Sequence, residues 1–268
     1  MSVLDEILAT KRDEVTVLRQ PQTRDLLRRM ALDAAPARDF AGALRRADGH
    51  LALIGELKRR SPSKGFLAPD LDPAPTAKAY EAGGAGALSV LTDLPYFGGT
   101  VDDLQAAHAA TELPVLRKDF TIDEIQVYEA RAIGADAVLL IAAALPDDSL
   151  FADLHALAVD LGLGVLVETH DEAEIGRAVA AGARIVGVNS RNLATFDEDL
   201  GIAERLSALL PPDAVAVAES AVRSAGDAER MAHAGFDAVL VGEALVKAPD
   251  ATALVRAMTG ATVARRDR

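Results

Sequence analysis

The sequence predicts an α/β fold, a single (β/α)8 TIM barrel with an N-terminal helical extension. From residue 51 onwards, eight short apolar runs alternate with segments rich in alanine, leucine, glutamate and arginine. Strands that are apolar on both faces are typical of a parallel sheet covered by helices. Eight βα units within about 210 residues, with no linker composition between them, favour one closed barrel. A doubly wound open sheet is the structural alternative.

The predicted extension covers residues 1–50. Apolar residues and Lys11 recur at helical spacing over 3–18, and Ser2 with Asp5 has the spacing of a capping box. A second helix is predicted over 22–32, and residues 33–39 have loop composition.

The predicted barrel covers residues 51–260. Its strands are expected at 51–57, 87–91, 114–117, 137–141, 164–167, 184–188, 214–218 and 238–241. Four junctions contain a glycine just before a strand, at Gly84, Gly134, Gly182 and Gly235. Each glycine is expected in the left-handed conformation just past a helix. Residues 261–268, with Arg265, Arg266 and Arg268, are predicted to form a basic tail within the same single domain.

Composition excludes several classes of function. With 28 basic and 41 acidic residues the net charge is −13, which opposes binding to nucleic acid and to anionic membranes. The chain has no cysteine, so disulfides, thiolate nucleophiles and cysteine zinc sites are excluded. No apolar stretch approaches 18 residues, and charged residues interrupt the N-terminus. We expect a cytoplasmic protein with a small-molecule partner.

Polar side chains follow six of the eight predicted strands, at the barrel end where chemistry is expected. They include Glu56 and Lys58, Lys118, Glu168, Asn189 and Arg191, Glu219 and Ser220, and Gly242 and Glu243. Roles without chemistry are the alternatives: Glu56 and Lys58 could form a structural ion pair, and Asn189 could be a turn residue. Arg117 is expected to point towards the helices. The histidines show no ligand spacing, so no metal site is predicted.

Two loops suggest an anionic ligand. Ser220 and Gly242 end the seventh and eighth strands before predicted helix starts, where many barrels bind phosphate. Residues 58–65, KRRSPSKG, form a basic loop after the first strand. On an acidic protein this loop is expected to attract an anionic substrate; a solvated loop is the alternative.

These residues resemble the indole-3-glycerol-phosphate synthase family. The resemblance is carried by ELKRRSPSKG (56–65), LSVLTD (88–93), LRKDF (116–120), LVE (166–168), VNSRNL (188–193) and AES (218–220). It extends over residues 1–260. It implies a carboxy-lyase of tryptophan biosynthesis that converts 1-(2-carboxyphenylamino)-1-deoxyribulose 5-phosphate to indole-3-glycerol phosphate, CO2 and water, without a cofactor.

The resemblance also implies residue roles. Lys118 is the general acid of ring closure and Glu168 the principal acid/base of dehydration, while Glu56 and Lys58 position the anthranilate end. The division of acid roles between Lys58 and Lys118 stays open, and Asn189 completes the catalytic set by orienting substrate. Substrate contacts are expected from Ser61, Phe120, Arg191, Leu193, Ser220, Ala221, Gly242 and Glu243.

Two positions depart from the family pattern. Ala221 stands where glycine is usual, which is unfavourable if the backbone there has positive φ. Gly55 replaces the usual alanine and is expected to loosen local packing. Two other functions are alternatives, a phosphoribosylanthranilate-type isomerase and a barrel that binds ligand without turnover. A monomer is expected, with a homodimer as the alternative.

Overall fold

Eight parallel strands close into a barrel in the computed structural model, which describes residues 2–45, 48–191 and 197–264. Around the barrel the eight strands follow one another in chain order, and the last strand pairs with the first. The predicted (β/α)8 barrel is confirmed, and the open sheet is excluded because the sheet has no edges.

The predicted strands lie within about two residues of the observed ones. The strands are β1 (Ala52–Leu57), β2 (Arg60–Ser61), β3 (Gly65–Phe66), β4 (Ala87–Leu91), β5 (Val115–Lys118), β6 (Ala137–Ile141), β7 (Gly164–Thr169), β8 (Ile185–Asn189), β9 (Val215–Glu219) and β10 (Ala238–Val241). Strands β2 and β3 form a small antiparallel hairpin within the basic loop.

Helices connect and cover the strands. They are α1 (Val3–Leu18), α2 (Pro21–Asp33), α3 (Phe40–Leu44), α4 (Pro73–Gly83), α5 (Leu94–Phe97), α6 (Val101–Ala110), α7 (Glu124–Ala132), α8 (Asp148–Asp160), α9 (Glu172–Ala180), α10 (Leu200–Leu206), α11 (Ala225–His233), α12 (Glu243–Val246) and α13 (Ala251–Met258). Short 3-10 turns cover Ala142–Ala144 and Ser207–Leu209.

The N-terminal extension begins as predicted. The Ser2 hydroxyl accepts from the backbone of Asp5, whose carboxylate accepts from the Ser2 backbone, which completes the capping box. Helix α3 is an addition to the prediction. Its Phe40 and Leu44 are buried with the apolar residues that fill the barrel, so α3 closes the barrel at the end opposite the strand carboxyl ends.

Every second side chain of a strand points into the barrel, because successive strand side chains point to opposite faces of the sheet. Ile54, Leu116 and Leu166 are fully buried in the cluster inside the barrel. Two residues further along the same strands come Glu56, Lys118 and Glu168. The interior columns of three strands therefore end in ionisable side chains at one end of the barrel.

The four predicted junction glycines all have positive φ. Gly84, Gly134, Gly182 and Gly235 have φ of +94°, +89°, +82° and +88°. This conformation ends each helix and turns the chain directly into the next strand, as predicted.

The expectation that Gly55 loosens packing was wrong. A Cβ at position 55 would lie 2.4 Å from Cδ2 of Tyr80, and the Tyr80 side chain on α4 is fully buried. The aromatic ring occupies the space that an alanine methyl group would need. Gly55 and Tyr80 therefore form one packing unit.

The start of the predicted tail contacts the barrel. Ala261 accepts a hydrogen bond from the backbone of Leu51 at 2.8 Å, and Val263 donates one to Gly49 at 2.9 Å. Arg265, Arg266 and Arg268 lie outside the described residues. Among the residues described, no helix has the length and apolarity needed to span a membrane.

Candidate active site

A cavity opens at the carboxyl ends of the barrel strands, where the sequence predicted the site. Most of the predicted residues line it, namely Glu56, Lys58, Lys118, Phe120, Glu168, Asn189, Arg191, Ser220, Ala221, Gly242 and Glu243. The cavity is also lined by Glu219, Glu198 and Arg223 and by three residues of α1, Val3, Leu4 and Ile7. The N-terminal extension thus forms one wall of the site.

An ammonium group held by two carboxylates occupies the centre. Nζ of Lys118 lies 2.9 Å from Oε2 of Glu168 and 2.8 Å from Oε2 of Glu219. The three side chains come from β5, β7 and β9, and their exposed fractions are 14%, 6% and 2%. Burial of a lysine lowers its pKa, but here the two carboxylates outweigh burial and raise the pKa of Lys118. Lys118 is therefore protonated and can donate a proton only to a group that becomes strongly basic.

The two carboxylates are inequivalent. Burial acts to raise the pKa of Glu168, but Lys118, His170 and a hydrogen bond from Asn189 lower it overall. Burial raises the pKa of Glu219 to about 7; Lys118 opposes this shift and the nearby Glu168 adds to it. Two carboxylates that share one cation favour a single proton between them, and the surroundings place it on Glu219.

Glu56 and Lys58 form a second ion pair beside this cluster. Nζ of Lys58 lies 2.5 Å from Oε1 of Glu56. Glu56 is 4% exposed, and although burial acts to raise its pKa, Lys58 and Lys118 lower it overall. The ion pair expected between Glu56 and Lys58 is therefore present, and both residues line the cavity.

Asn189 connects the central cluster to the arginines. Its Nδ2 donates to Oε1 of Glu168 at 2.9 Å, and its Oδ1 accepts from the backbone of Arg191 at 3.0 Å. The Arg191 and Arg223 guanidinium groups both donate to Glu198. The Arg191 side chain thus has a carboxylate partner before any substrate carboxylate arrives.

The predicted phosphate end contains an unusual backbone. Ser220 and Ala221 follow β9 with φ of +64° and +61°. After the neighbouring strand β10, the Glu243 carboxylate accepts from Nζ of Lys64 at 2.7 Å and from Nζ of Lys247 at 2.8 Å. The basic loop is thereby tied to the start of α12.

One predicted contact, Ser61, is placed differently. Ser61 is buried in the β2–β3 hairpin, where its hydroxyl accepts from the backbone of Lys64 at 3.3 Å; its neighbour Pro62 lines the cavity instead. Leu193 lies outside the described residues. Arg117 points to the helices as predicted, where it bonds to the Gln126 backbone and lies 2.7 Å from Oε2 of Glu129.

Phe120 lines the cavity from the loop after β5, with its ring centroid 6.1 Å from that of Phe97. Immediately before it, Asp119 also lines the cavity and pairs with a lysine of α1. Nζ of Lys11, 1% exposed, lies 2.9 Å from Asp119, 3.0 Å from Asp93 and 2.8 Å from Glu14. This buried ion cluster fastens α1 to the loops that carry Lys118 and Phe120.

Glu219 is the main omission from the residues predicted to act. Glu219 lies in the AES motif (218–220) and ends strand β9. The alternation of side chains along the strand could have indicated its position, since Val215, Val217 and Glu219 share one strand face. Glu198 and Arg223 had no comparable signal, because they lie in loops away from the motifs. Among the described residues, no group of three or more His, Asp or Glu side chains is arranged to hold a metal ion.

Comparison with known proteins decides the family. Residues 4–258 match the model of the indole-3-glycerol phosphate synthase family. The chain belongs to the indole-3-glycerol phosphate synthase family. The predicted resemblance and activity, that of a carboxy-lyase of tryptophan biosynthesis, are confirmed. The isomerase alternative is excluded by the same match.

Individual synthases of this family are similar over more than nine-tenths of their length. The indole-3-glycerol phosphate synthase of Paenarthrobacter aurescens (strain TC1) is 51% identical over 249 residues, 92% of this chain and 91% of that protein. That of Nocardioides sp. (strain ATCC BAA-499 / JS614) is 51% identical over 263 residues, 97% of this chain and 99% of that protein.

Solved structures of other enzymes share the barrel. The 3-hexulose-6-phosphate synthase of Salmonella typhimurium superposes with a TM-score of 0.63 at 18% identity, covering 78% of this chain and 97% of that one. The thiamine phosphate pyrophosphorylase of Pyrococcus furiosus gives 0.56 at 17% identity, covering 78% of this chain and 94% of that one. At these identities the likeness concerns the fold alone.

Proposed function

We propose that the cluster at the strand ends carries out the synthase reaction with Lys118 as the acid of ring closure. The supporting observation is the position of its ammonium group, 2.9 Å from Glu168 and 2.8 Å from Glu219 at the base of the cavity. An ammonium group in a site of low polarity stabilises negative charge that develops beside it far more than in water.

Ring closure forms the bond between the aromatic carbon that bears the carboxylate and the ketone carbon of the ribulose chain. Lys118 donates a proton to the ketone oxygen as this bond forms, so that no free alkoxide develops. Loss of CO2 then returns the electron pair of the breaking carbon–carbon bond to the ring and restores its aromaticity. The product of these steps carries a hydroxyl group on the new five-membered ring.

Dehydration then needs one group that donates a proton to this hydroxyl and another that accepts a proton from the neighbouring carbon. Glu168 and Glu219 lie on either side of Lys118 and differ in protonation, which suits a carboxylate base and a carboxylic acid. We assign the base to Glu168, which Asn189 orients through its hydrogen bond. Glu219 supplies the proton, and water leaves.

The two ends of the substrate require different surroundings. Glu56 and Lys58 lie beside the central cluster, and Phe120 offers an aromatic face for the anthranilate ring. Ser220, Ala221 and Gly242 line the part of the cavity expected to bind phosphate through backbone N–H groups. Arg191 is available to the substrate carboxylate when that group replaces Glu198. Ser61 and Leu193 remain predicted contacts of this substrate.

Indole emission tests the proposal directly, because the chain contains no tryptophan. With the carboxyphenylamino-deoxyribulose phosphate as substrate, we expect emission to rise in proportion to enzyme concentration. Glu168→Gln should reduce the rate at least about a hundredfold, the usual contribution of an acid–base group. Glu172→Gln, at an exposed position on α9, is the matched control and should leave the rate unchanged.

A binding protein without turnover gives a different result in the same experiment. Calorimetry would then show substrate binding while indole emission stays flat. A rate that Glu168→Gln leaves intact, in a protein that turns over normally, would contradict the acid–base assignment alone.

We also propose that the protein acts in the cytoplasm as a monomer. All side chains of the central cluster come from one chain, so the site needs no partner subunit, and a phosphorylated intermediate stays in the compartment where it is made. Sedimentation at working concentration tests the monomeric state, and cell fractionation tests the cytoplasmic location. A dimer whose dissociation abolishes activity would contradict the monomeric state.

A further inference from the structure

His170 lies at the edge of the central cluster, two residues after Glu168, and its ring is held in place from one side. Nδ1 lies 3.0 Å from Oε2 of Glu174, the oxygen that also accepts from the backbone N–H of His170 at 2.8 Å. An ionised carboxylate only accepts hydrogen bonds. Nδ1 therefore carries a proton in either state of the ring, and the second nitrogen, Nε2, is the atom that titrates.

Nε2 points at the site. It lies 3.5 Å from Oε1 of Glu168, it is buried, and no described residue offers it a hydrogen bond. In the neutral ring Nε2 would direct a lone pair at a carboxylate oxygen, which is repulsive. In the protonated ring it would direct an N–H group at the same oxygen, which is attractive.

The charges around the ring favour the cation. Glu168 on β7, Glu174 on α9 and Glu219 on β9 all act on His170, and Lys118 on β5 shares two of these carboxylates. Burial lowers the pKa of His170, but the three carboxylates outweigh burial and raise it overall.

The consequence concerns the two carboxylates that share Lys118. Oε1 of Glu168 accepts from Asn189 and faces His170, whereas Oε1 of Glu219 has no hydrogen-bond partner among the described residues. Oε1 of Glu219 lies against β8, 2.0 Å from where a Cβ on Gly187 would be. Both carboxylate oxygens of Glu168 thus face nitrogen atoms of neighbouring side chains. In Glu219 only Oε2 does so, through Lys118.

We propose that His170 is a positioning residue that keeps Glu168 ionised and thereby places the single proton of the carboxylate pair on Glu219. This inference rests on the roles proposed above for Glu168 and Glu219. Removal of the imidazolium makes Glu168 a stronger competitor for that proton. The base is then lost as the pH falls, while the Lys118 contact and the substrate contacts remain.

The test is the pH profile of kcat for His170→Asn, which keeps a donor towards Glu174 and removes the group that faces Glu168. We expect the acidic limb of the profile to move up by about one pH unit, so that kcat at pH values on that limb is up to about tenfold below wild type. Near pH 8.5, where Glu168 is ionised in both proteins, the two rates should agree within about threefold. His170→Gln serves if the asparagine variant does not fold.

His108→Gln is the matched control. Nε2 of His108 lies 3.3 Å from Oδ2 of Asp136, a histidine–carboxylate pair that does not line the cavity. The His108→Gln variant should leave the pH profile of kcat unchanged. An equal loss of kcat by the His170 variant at every pH, or an unmoved acidic limb, would overturn the inference. Failure of the proposed function itself would appear separately, as absent turnover in the wild-type protein.

Discussion

Ser220 and Ala221 are consecutive residues in the left-handed backbone region, with φ of +64° and +61°. A side chain in this region costs roughly 1–2 kcal/mol relative to right-handed backbone, and glycine avoids most of that cost. Ala221 departs from the family pattern at this position, where glycine is usual. The structure confirms the positive φ at a position that lines the cavity.

Ala221→Gly should therefore lower KM for the substrate and leave kcat within about twofold of wild type. Relief of backbone strain is offset in part by the greater freedom of glycine in the unfolded chain, so stability should change by less than about 1 kcal/mol. Steady-state kinetics and urea unfolding measure these effects. The control, Ala244→Gly in α12, has no left-handed backbone to relieve and should not lower KM. An unchanged KM in the Ala221 variant would show that the methyl group does not disturb phosphate binding.

Lys11→Met should destabilise the protein strongly. It would leave Asp93 and Asp119, which are 0% and 4% exposed, without their shared cation, and removal of one partner from a buried ion pair costs about 3–5 kcal/mol. Urea unfolding is the measurement, and Arg12→Met, at an exposed neighbouring position, is the control. Equal stability of the two variants would mean that α1 is held by its apolar contacts alone.

Gly55→Ala should destabilise the protein by about 1–3 kcal/mol, because its methyl group would overlap the ring of Tyr80. In the double variant Gly55→Ala, Tyr80→Leu the two costs should be less than additive, since the smaller side chain leaves room for the methyl group. Thermal or urea unfolding of the four proteins gives this coupling. Strict additivity would show that the two positions are independent.

Glu219→Gln tests where the proton of the carboxylate pair lies. The pKa of Glu219 is raised from 4.5 to about 7 on folding, so the folded protein binds more protons and loses stability as the pH rises through this range. Glutamine does not titrate. The variant should therefore gain stability relative to wild type between pH 5 and pH 8, as measured by urea unfolding. A stability difference between the two proteins that stays constant over this range would show that Glu219 is already ionised beside Lys118.

The barrel and its reactive end could be predicted from sequence because both depend on short-range patterns. The apolar runs give the strands, the glycines before them give the turns, and the two-residue period carries Ile54 to Glu56 and Leu116 to Lys118. The motifs then name the family. All of this information lies within a few residues along the chain.

The parts that sequence did not predict depend on long-range contacts. Glu198 reaches Arg223 across 25 residues, and Lys11 reaches Asp119 from a separate helix. The relation of His170 to Glu174 and Glu168 needs the loop after β7 to be in place. No local pattern distinguishes such partners from ordinary surface charges, so only the folded structure shows that α1 is part of the site.

The proton held by Lys118 is central to the proposed mechanism, and removal of the ammonium group tests that mechanism most directly. Indole emission should be followed with wild type, Lys118→Ala and the control Lys78→Ala, whose lysine is exposed on α4, while calorimetry checks that each protein still binds substrate. We expect Lys118→Ala to bind substrate and to turn over at least about a hundredfold more slowly than wild type, with Lys78→Ala unchanged. Near-normal indole formation by a folded Lys118→Ala protein would contradict the assignment and transfer the acid role to Lys58.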